Sequence, residues 1–210
     1  VIKTISADKD LIFHMTSLIY NTTAEVVHIA TDTLCTYVDG QKRNTTSKAV
    51  YLPHLRTIIV GTGIVGFALD WTQKINDLMD LDGIENLDFH APQELQKQWK
   101  LKKAAPDFPD HLTATIYQFG ISKRTNKVLA YRFQSTEDFA SEKIGYRLGI
   151  KPPTGVVHNI EKAEDFYKIM QMQIHEQNSI EFEKRIHIGG ECIVLELSRK
   201  GCQIFSLGLL

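Results

Sequence analysis

Short apolar runs broken by polar turns fill the first sixty residues of this 210-residue chain. Residues 16–21 and 25–30 read as two strands around the polar Asn21-Thr22-Thr23. Residues 34–38 continue the sheet as far as the tight-turn pair Asp39-Gly40, and the polar stretch QKRNTT follows. Residues 49–52 and 56–60 read as further strands, interrupted at Pro53. The pattern then changes period. Gly61-Thr62-Gly63 reads as a loop opening a helix, because Ile64, Phe67, Ala68, Trp71, Ile75 and Leu78 fall at three- and four-residue steps. Gly83 ends or interrupts that helix, and a weaker helical pattern spans residues 92–103, with Pro92 in its first turn. The loop APDFPD divides the chain. Beyond it, residues 113–119 and 127–133 read as a hairpin, residues 161–176 as a helix, and residues 191–197 and 202–207 as a terminal hairpin. Strands come in runs rather than in strict alternation with helices. Two packed sheets flanked by helices fit that order better than a doubly wound parallel sheet.

Composition narrows the class. Hydrophobic residues make up 43% and charged residues 23% of the chain, an ordinary globular mix. With 24 basic and 25 acidic residues the formal net charge is −1, which gives nucleic acid or an anionic membrane no electrostatic footprint. No apolar run approaches the ~18 residues of a membrane-spanning helix. Three cysteines in no CxxC pair argue for a reducing compartment, with the cytoplasm expected. Cys192 and Cys202 are expected to face one another across the terminal turn. Eight histidines form no HxxxH or HExxH pair, so neither a metal nor any other cofactor is expected. The first residue is Val1 and the first methionine Met15. Residues 1–15 are therefore read as a leader, propeptide or added extension, ahead of a single domain over residues 16–210.

Candidate chemistry concentrates early. Thr16 precedes the first strand, Asp32 follows the second, Lys48 comes sixteen residues later, and Gly61-Thr62-Gly63 follows the next strands. Singly, each has a plain structural reading: a β-branched strand residue, a turn former, a solvated lysine, a glycine turn. The glycines do not make a phosphate-binding P-loop, since no Gly-Lys-Ser/Thr follows them.

In conjunction, the stretches TSLIYNTTAEVVHIATDTL and SKAVYLPHLRTIIVGTGIVG resemble proteasome β subunits and bacterial proteasome-like threonine peptidases of the N-terminal-nucleophile (Ntn) hydrolase superfamily. The Gly-Gly and strand pair of IGGECIVLELSRKGCQIFSL are similar to the late part of the bacterial members. The resemblance is clear over residues 16–80 and diffuse over 110–207. It implies an α+β fold, a four-layer αββα sandwich of the Ntn-hydrolase type. It also implies a catalytic set of Thr16, Asp32 and Lys48 with an oxyanion hole at Gly61, Thr62 and Gly63. Thr16 would be the nucleophile and its own free α-amine the base, with an unperturbed pKa of about 7.7–8.0. Lys48 would lower that pKa, and Asp32 would hold Lys48. The family's supporting serine and second aspartate are not placed; Ser135, Ser141 and Asp165 are candidates by position only. The expected partners are a peptide or other amide substrate and further copies of the chain in a homo-oligomer, with an ATP-driven unfoldase implied by the family alone. Nucleic acid and membranes are not expected. The competing reading is a catalytically silent assembly or binding protein. What precedes Thr16 decides between them, because a peptide bond from Met15 removes the amine's basicity.

Overall fold

The computed structural model describes residues 12–14, 16–37, 42–64, 66–78, 80–106, 108–156, 159–182 and 184–210. Strands dominate: β1 (Ile12–His14), β2 (Leu18–Thr22), β3 (Val26–Thr31), β4 (Leu34–Tyr37), β5 (Lys42–Thr45), β6 (Ala49–Leu52) and β7 (Thr57–Ile64) precede helices α1 (Phe67–Leu78) and α2 (Ile84–Lys103). β8 (Ala114–Ile121), β9 (Val128–Gln134), β10 (Glu142–Ile144) and β11 (Leu148–Lys151) follow, then α3 (Ala163–Asn178), β12 (Glu191–Ser198) and β13 (Gly201–Leu209). The strands form an eight-stranded sheet, β10-β9-β8-β7-β1-β4-β5 with β6 also on β7, and a five-stranded sheet, β11-β2-β3-β12-β13. Each described pairing is antiparallel.

The alternation along each strand sorts side chains into separate cores. Leu18, Tyr20, Val27 and Ile29 face the other sheet and pack with Ile58, Val60, Tyr117 and Phe119. Their neighbours Ile19 and Ala30 face the opposite way, onto Phe166, Ile169 and Met170 of α3. The β2–β3 turn is fixed by Thr23, whose hydroxyl accepts the N–H groups of Glu25 and Val26. On the outer face of the larger sheet, Phe67, Trp71 and Ile75 of α1 and Ile84, Leu87, Ala91, Leu95 and Trp99 of α2 bury against Ile59, Ile116 and Phe133.

The four-layer αββα sandwich is a correction. The described residues are mainly antiparallel β-sheet carrying three α-helices, without balanced helical layers. Among the described residues only α3 lies against the smaller sheet, and much of β13 stays exposed. The missed strands explain the imbalance. β1, β5, β10 and β11 are three or four residues long, and β5 reads KRNT. Main-chain pairing with a neighbour holds such strands, and no apolar alternation announces them.

Three local readings also change. Gly61-Thr62-Gly63 is not a helix-opening loop but the last part of β7, and α1 begins only at Phe67. α2 starts at Ile84, so Pro92 lies inside it. The buried row from Ile84 to Trp99 outweighs the ~3 kcal/mol that an interior proline costs. Cys202 pairs with Leu197, not Cys192, which sits at the far end of β12. The turn expected at Asp39-Gly40 lies outside the described residues.

Gly61 has no room for a side chain. A Cβ there would stand 2.3 Å from Cβ of Ala68 on α1. Gly61→Ala is expected to push α1 off the sheet and cost about 1–3 kcal/mol, read as a lowered thermal unfolding midpoint. An unchanged midpoint would mean that α1 does not hold its position against β7.

Candidate functional site

One end of the two sheets gathers the residues singled out in the sequence. Asp32 directly follows β3 of the smaller sheet, and Lys48 sits just before β6 of the larger. Their side chains meet at 2.7 Å and are 0% and 3% exposed respectively, tying the two sheets together. The Asp32 carboxylate is also held by main chain. Its Oδ1 accepts the Ser17 N–H at 2.9 Å and its Oδ2 the Gly189 N–H at 3.2 Å. Burial pushes the Asp32 carboxyl above its ordinary value, while Lys48 and the two N–H groups pull it back. A buried carboxylate is tolerable only with such partners.

Thr16 lies two residues before the start of β2, and the Asp32–Ser17 bond fixes the backbone beside it. Thr16 is 3% exposed, and its Oγ1 has no hydrogen-bond partner among the described residues. An unmet buried hydroxyl costs about 1–3 kcal/mol, so it calls for an explanation. Thr16 and Lys48 line the same cleft, with Thr46, Ser47, Val50, Ile59, Gly61, Ala68, Thr72 and Ile116 around them. The cleft is narrow, with about 30 Å³ of free space, and it opens to solvent.

The three residues expected to form the oxyanion hole are split by strand geometry. The Ile64 N–H donates to the Thr113 carbonyl, so the backbone of Ile64, and by alternation that of Thr62, turns toward β8. Gly61 and Gly63 turn the other way. Gly63 stands opposite His14 of β1, whereas the β6 ladder stops at Ala49, opposite Val60. The Gly61 N–H thus faces the opening between the end of β1 and the start of β6, where Lys48 sits. Gly63 adopts φ 96°, and a Cβ there would meet the Thr113 carbonyl oxygen at 2.1 Å.

Sequence reasoning missed Ser17, Gln173 and Lys151, which have no local signature. The Ser17 hydroxyl donates to Oε1 of Gln173 on α3 at 2.6 Å, and Gln173 Nε2 donates to the Pro152 carbonyl at 2.6 Å. Gln173 is fully buried. Lys151 ends β11 and donates across the sheets to Thr62 Oγ1 at 2.9 Å and Thr115 Oγ1 at 3.4 Å. Burial, and secondarily Arg132, lowers the Lys151 pKa. The unfolded chain therefore holds this proton more tightly than the folded one. Stability then rises with pH between the lowered folded value and the ordinary 10.5. Thermal unfolding of the native chain is expected to show that rise on the alkaline side, and Lys151→Met to lack it. The same slope in both would remove Lys151 as its source.

The other candidates fall elsewhere. Ser135 Oγ accepts the Ala114 N–H, Ser141 donates to Asp88, and Asp165 accepts the N–H groups of Glu161 and Lys162 at the start of α3. Asp32 opposes the ionisation of the Cys192 thiol. Burial first, then that carboxylate, pushes it up to about 12, which makes it no nucleophile at neutral pH. Among the described residues no group of three or more His, Cys, Asp or Glu side chains is placed to hold a metal ion. No helix is long and apolar enough to cross a membrane.

Comparison with known proteins leaves the site to be read on its own geometry: no protein-family model matches the chain, and no match is found among curated proteins.

Proposed function

We propose that the chain is an amide-bond hydrolase of the threonine-nucleophile type, resting here as a precursor whose nucleophile is Thr16. The observation that carries the reading is the buried Thr16 hydroxyl, unpartnered among the described residues, in the cleft that Lys48 lines, with Lys48 itself held by Asp32. A structural threonine in that position would be expected to have found a partner.

The chemistry follows once the Met15–Thr16 peptide bond is cut. The Thr16 hydroxyl oxygen attacks the carbonyl carbon of the substrate amide and gives its proton to the freed Thr16 amine. The Lys48 ammonium disfavours a second positive charge beside it and so keeps that amine neutral and basic. The oxyanion of the tetrahedral intermediate receives the Gly61 N–H. Collapse expels the leaving amine, which takes the proton from the Thr16 ammonium. Water then hydrolyses the ester left on Thr16, with the same amine as base. While Met15 is attached, the Thr16 nitrogen is an amide and cannot take the proton.

The backbone also suggests the substrate class. β1, just upstream of Thr16, fills the space between β4 and β7, pairing Phe13 with Thr36 and with Ile64. Displacing β1 would leave a slot with a strand edge on each side, suited to an extended peptide that supplies main-chain hydrogen bonds. The buried Cys192 thiol fits a reducing compartment such as the cytoplasm.

The test is a covalent label. Protein cut specifically before Thr16 is expected to gain the mass of one β-lactone, located on Thr16 by peptide mapping, while the uncut chain gains none. Equal labelling of both forms, or of neither, would favour the alternative: a silent assembly or binding protein.

A further inference from the structure

We infer that β13 is a self-association edge, on which a second copy of the chain pairs antiparallel to join the two five-stranded sheets. β13 runs for nine residues at the rim of its sheet, and among the described residues it pairs only with β12. The Thr23 N–H donates to the Val26 carbonyl, and this fixes which residues of β2 and β3 share hydrogen bonds. Alternation carried across β3 and β12 turns the backbones of Gly201, Gln203 and Phe205 toward β12, and those of Cys202, Ile204 and Ser206 outward. A bulge shifts the register beyond Ser206, so the regular outward edge is residues 202–206.

Exposed edges are ordinarily blunted by charged side chains or proline. Residues 201–210, GCQIFSLGLL, contain neither. Ile204 is 59% exposed although it stands beside the buried Leu195, because the strand has no neighbour on its other side among the described residues.

Charge selects the occupant and its direction. Arg199 and Lys200 mark one end of β13. At the other end Glu191 stands opposite Leu209, and its carboxylate accepts the Ser206 hydroxyl. With a two-fold axis at Ile204, Cys202 of one copy pairs with Ser206 of the next, and Ile204 meets its own counterpart. Lys200 then falls beside Gly208 of the other copy, one strand from that copy's Glu191. Two strand spacings are about 10 Å, within reach of an extended lysine at one end and a carboxylate at the other. A parallel arrangement would set the basic ends together. The antiparallel pair is closed and self-complementary, so it yields a dimer and no fibre.

Sedimentation of the full chain from micromolar to hundred-micromolar concentration tests this. A monomer–dimer equilibrium is expected, with hydrogen exchange at the Cys202, Ile204 and Ser206 amides slowing as the dimer fills. Ile204→Lys sets two ammonium groups against each other at the axis and is expected to raise the dimer dissociation constant at least ten-fold. Leu101→Lys, at an exposed position on α2, is expected to leave it unchanged. The unfolding midpoint of dilute monomer checks that Ile204→Lys still folds. A monomer at every concentration, or a dimer that ignores Ile204→Lys, would overturn the proposal.

Discussion

Thr16→Ala is expected to lower amide hydrolysis by the cut protein at least about a thousand-fold, the scale seen when a nucleophile is removed. The same substitution is expected to leave stability within about 1 kcal/mol, because the hydroxyl it removes makes no hydrogen bond among the described residues. The two results together separate a catalytic hydroxyl from a structural one. A structural hydroxyl would give the opposite pattern, with lost stability and retained turnover. Thr16→Ser supplies the conservative control: it keeps the hydroxyl and the amine and should retain measurable labelling. Activity that survives Thr16→Ala would remove Thr16 from the mechanism.

The second large effect lies in the pair that Thr16 adjoins. Lys48→Met leaves a fully buried carboxylate with only the N–H groups of Ser17 and Gly189 for partners. Removing one member of a buried pair typically costs about 3–5 kcal/mol. The pH dependence gives the cause away. Without Lys48 the Asp32 carboxyl moves further above its ordinary value of 3.8, since desolvation then meets less opposition. A raised carboxyl holds its proton more tightly folded than unfolded, so that group's contribution to stability falls as pH rises through the raised value. The destabilisation of Lys48→Met is therefore expected to be largest at neutral pH and to shrink on acidification. Exchanging both partners, as Asp32→Leu with Lys48→Met, should recover part of the loss, because no buried charge remains. Chemical denaturation across a pH series measures all three proteins. A loss that does not change with pH would place the cost in packing and not in the carboxylate. Lys48→Met should also suppress labelling at Thr16, whereas Lys151→Met, a substitution outside that pair, need not.

The candidate residues were more legible in the sequence than the groups around them. Thr16, Asp32 and Lys48 stood out as candidates through the family resemblance that their types and sixteen-residue spacings carry, and the fold brings them to one end of two sheets. The major apolar strands were legible too: β2, β3, β6 and the β8–β9 hairpin lie close to their expected places. Ser17, Gln173 and Lys151 could not be read. Gln173 comes from α3, 156 residues from the Ser17 it binds, and a buried glutamine looks like any polar helix residue until packing removes its solvent. Likewise, no alternation marks β1 or β5, which exist because neighbouring strands offer main-chain partners.

Hydrophobic period and residue type thus determined the apolar strands and the three helical regions, since these depend on local sequence alone, while the catalytic candidates rested on a family resemblance. Tertiary structure decided the rest. It set the balance of sheet over helix, made Gly61-Thr62-Gly63 a strand instead of a loop, and turned only Gly61 of the three toward the opening beside Lys48. It also left the Thr16 hydroxyl buried without a partner among the described residues. Each of these outcomes depends on which distant backbone takes up a hydrogen bond, and burial assigns those partners only once the two sheets have closed on each other.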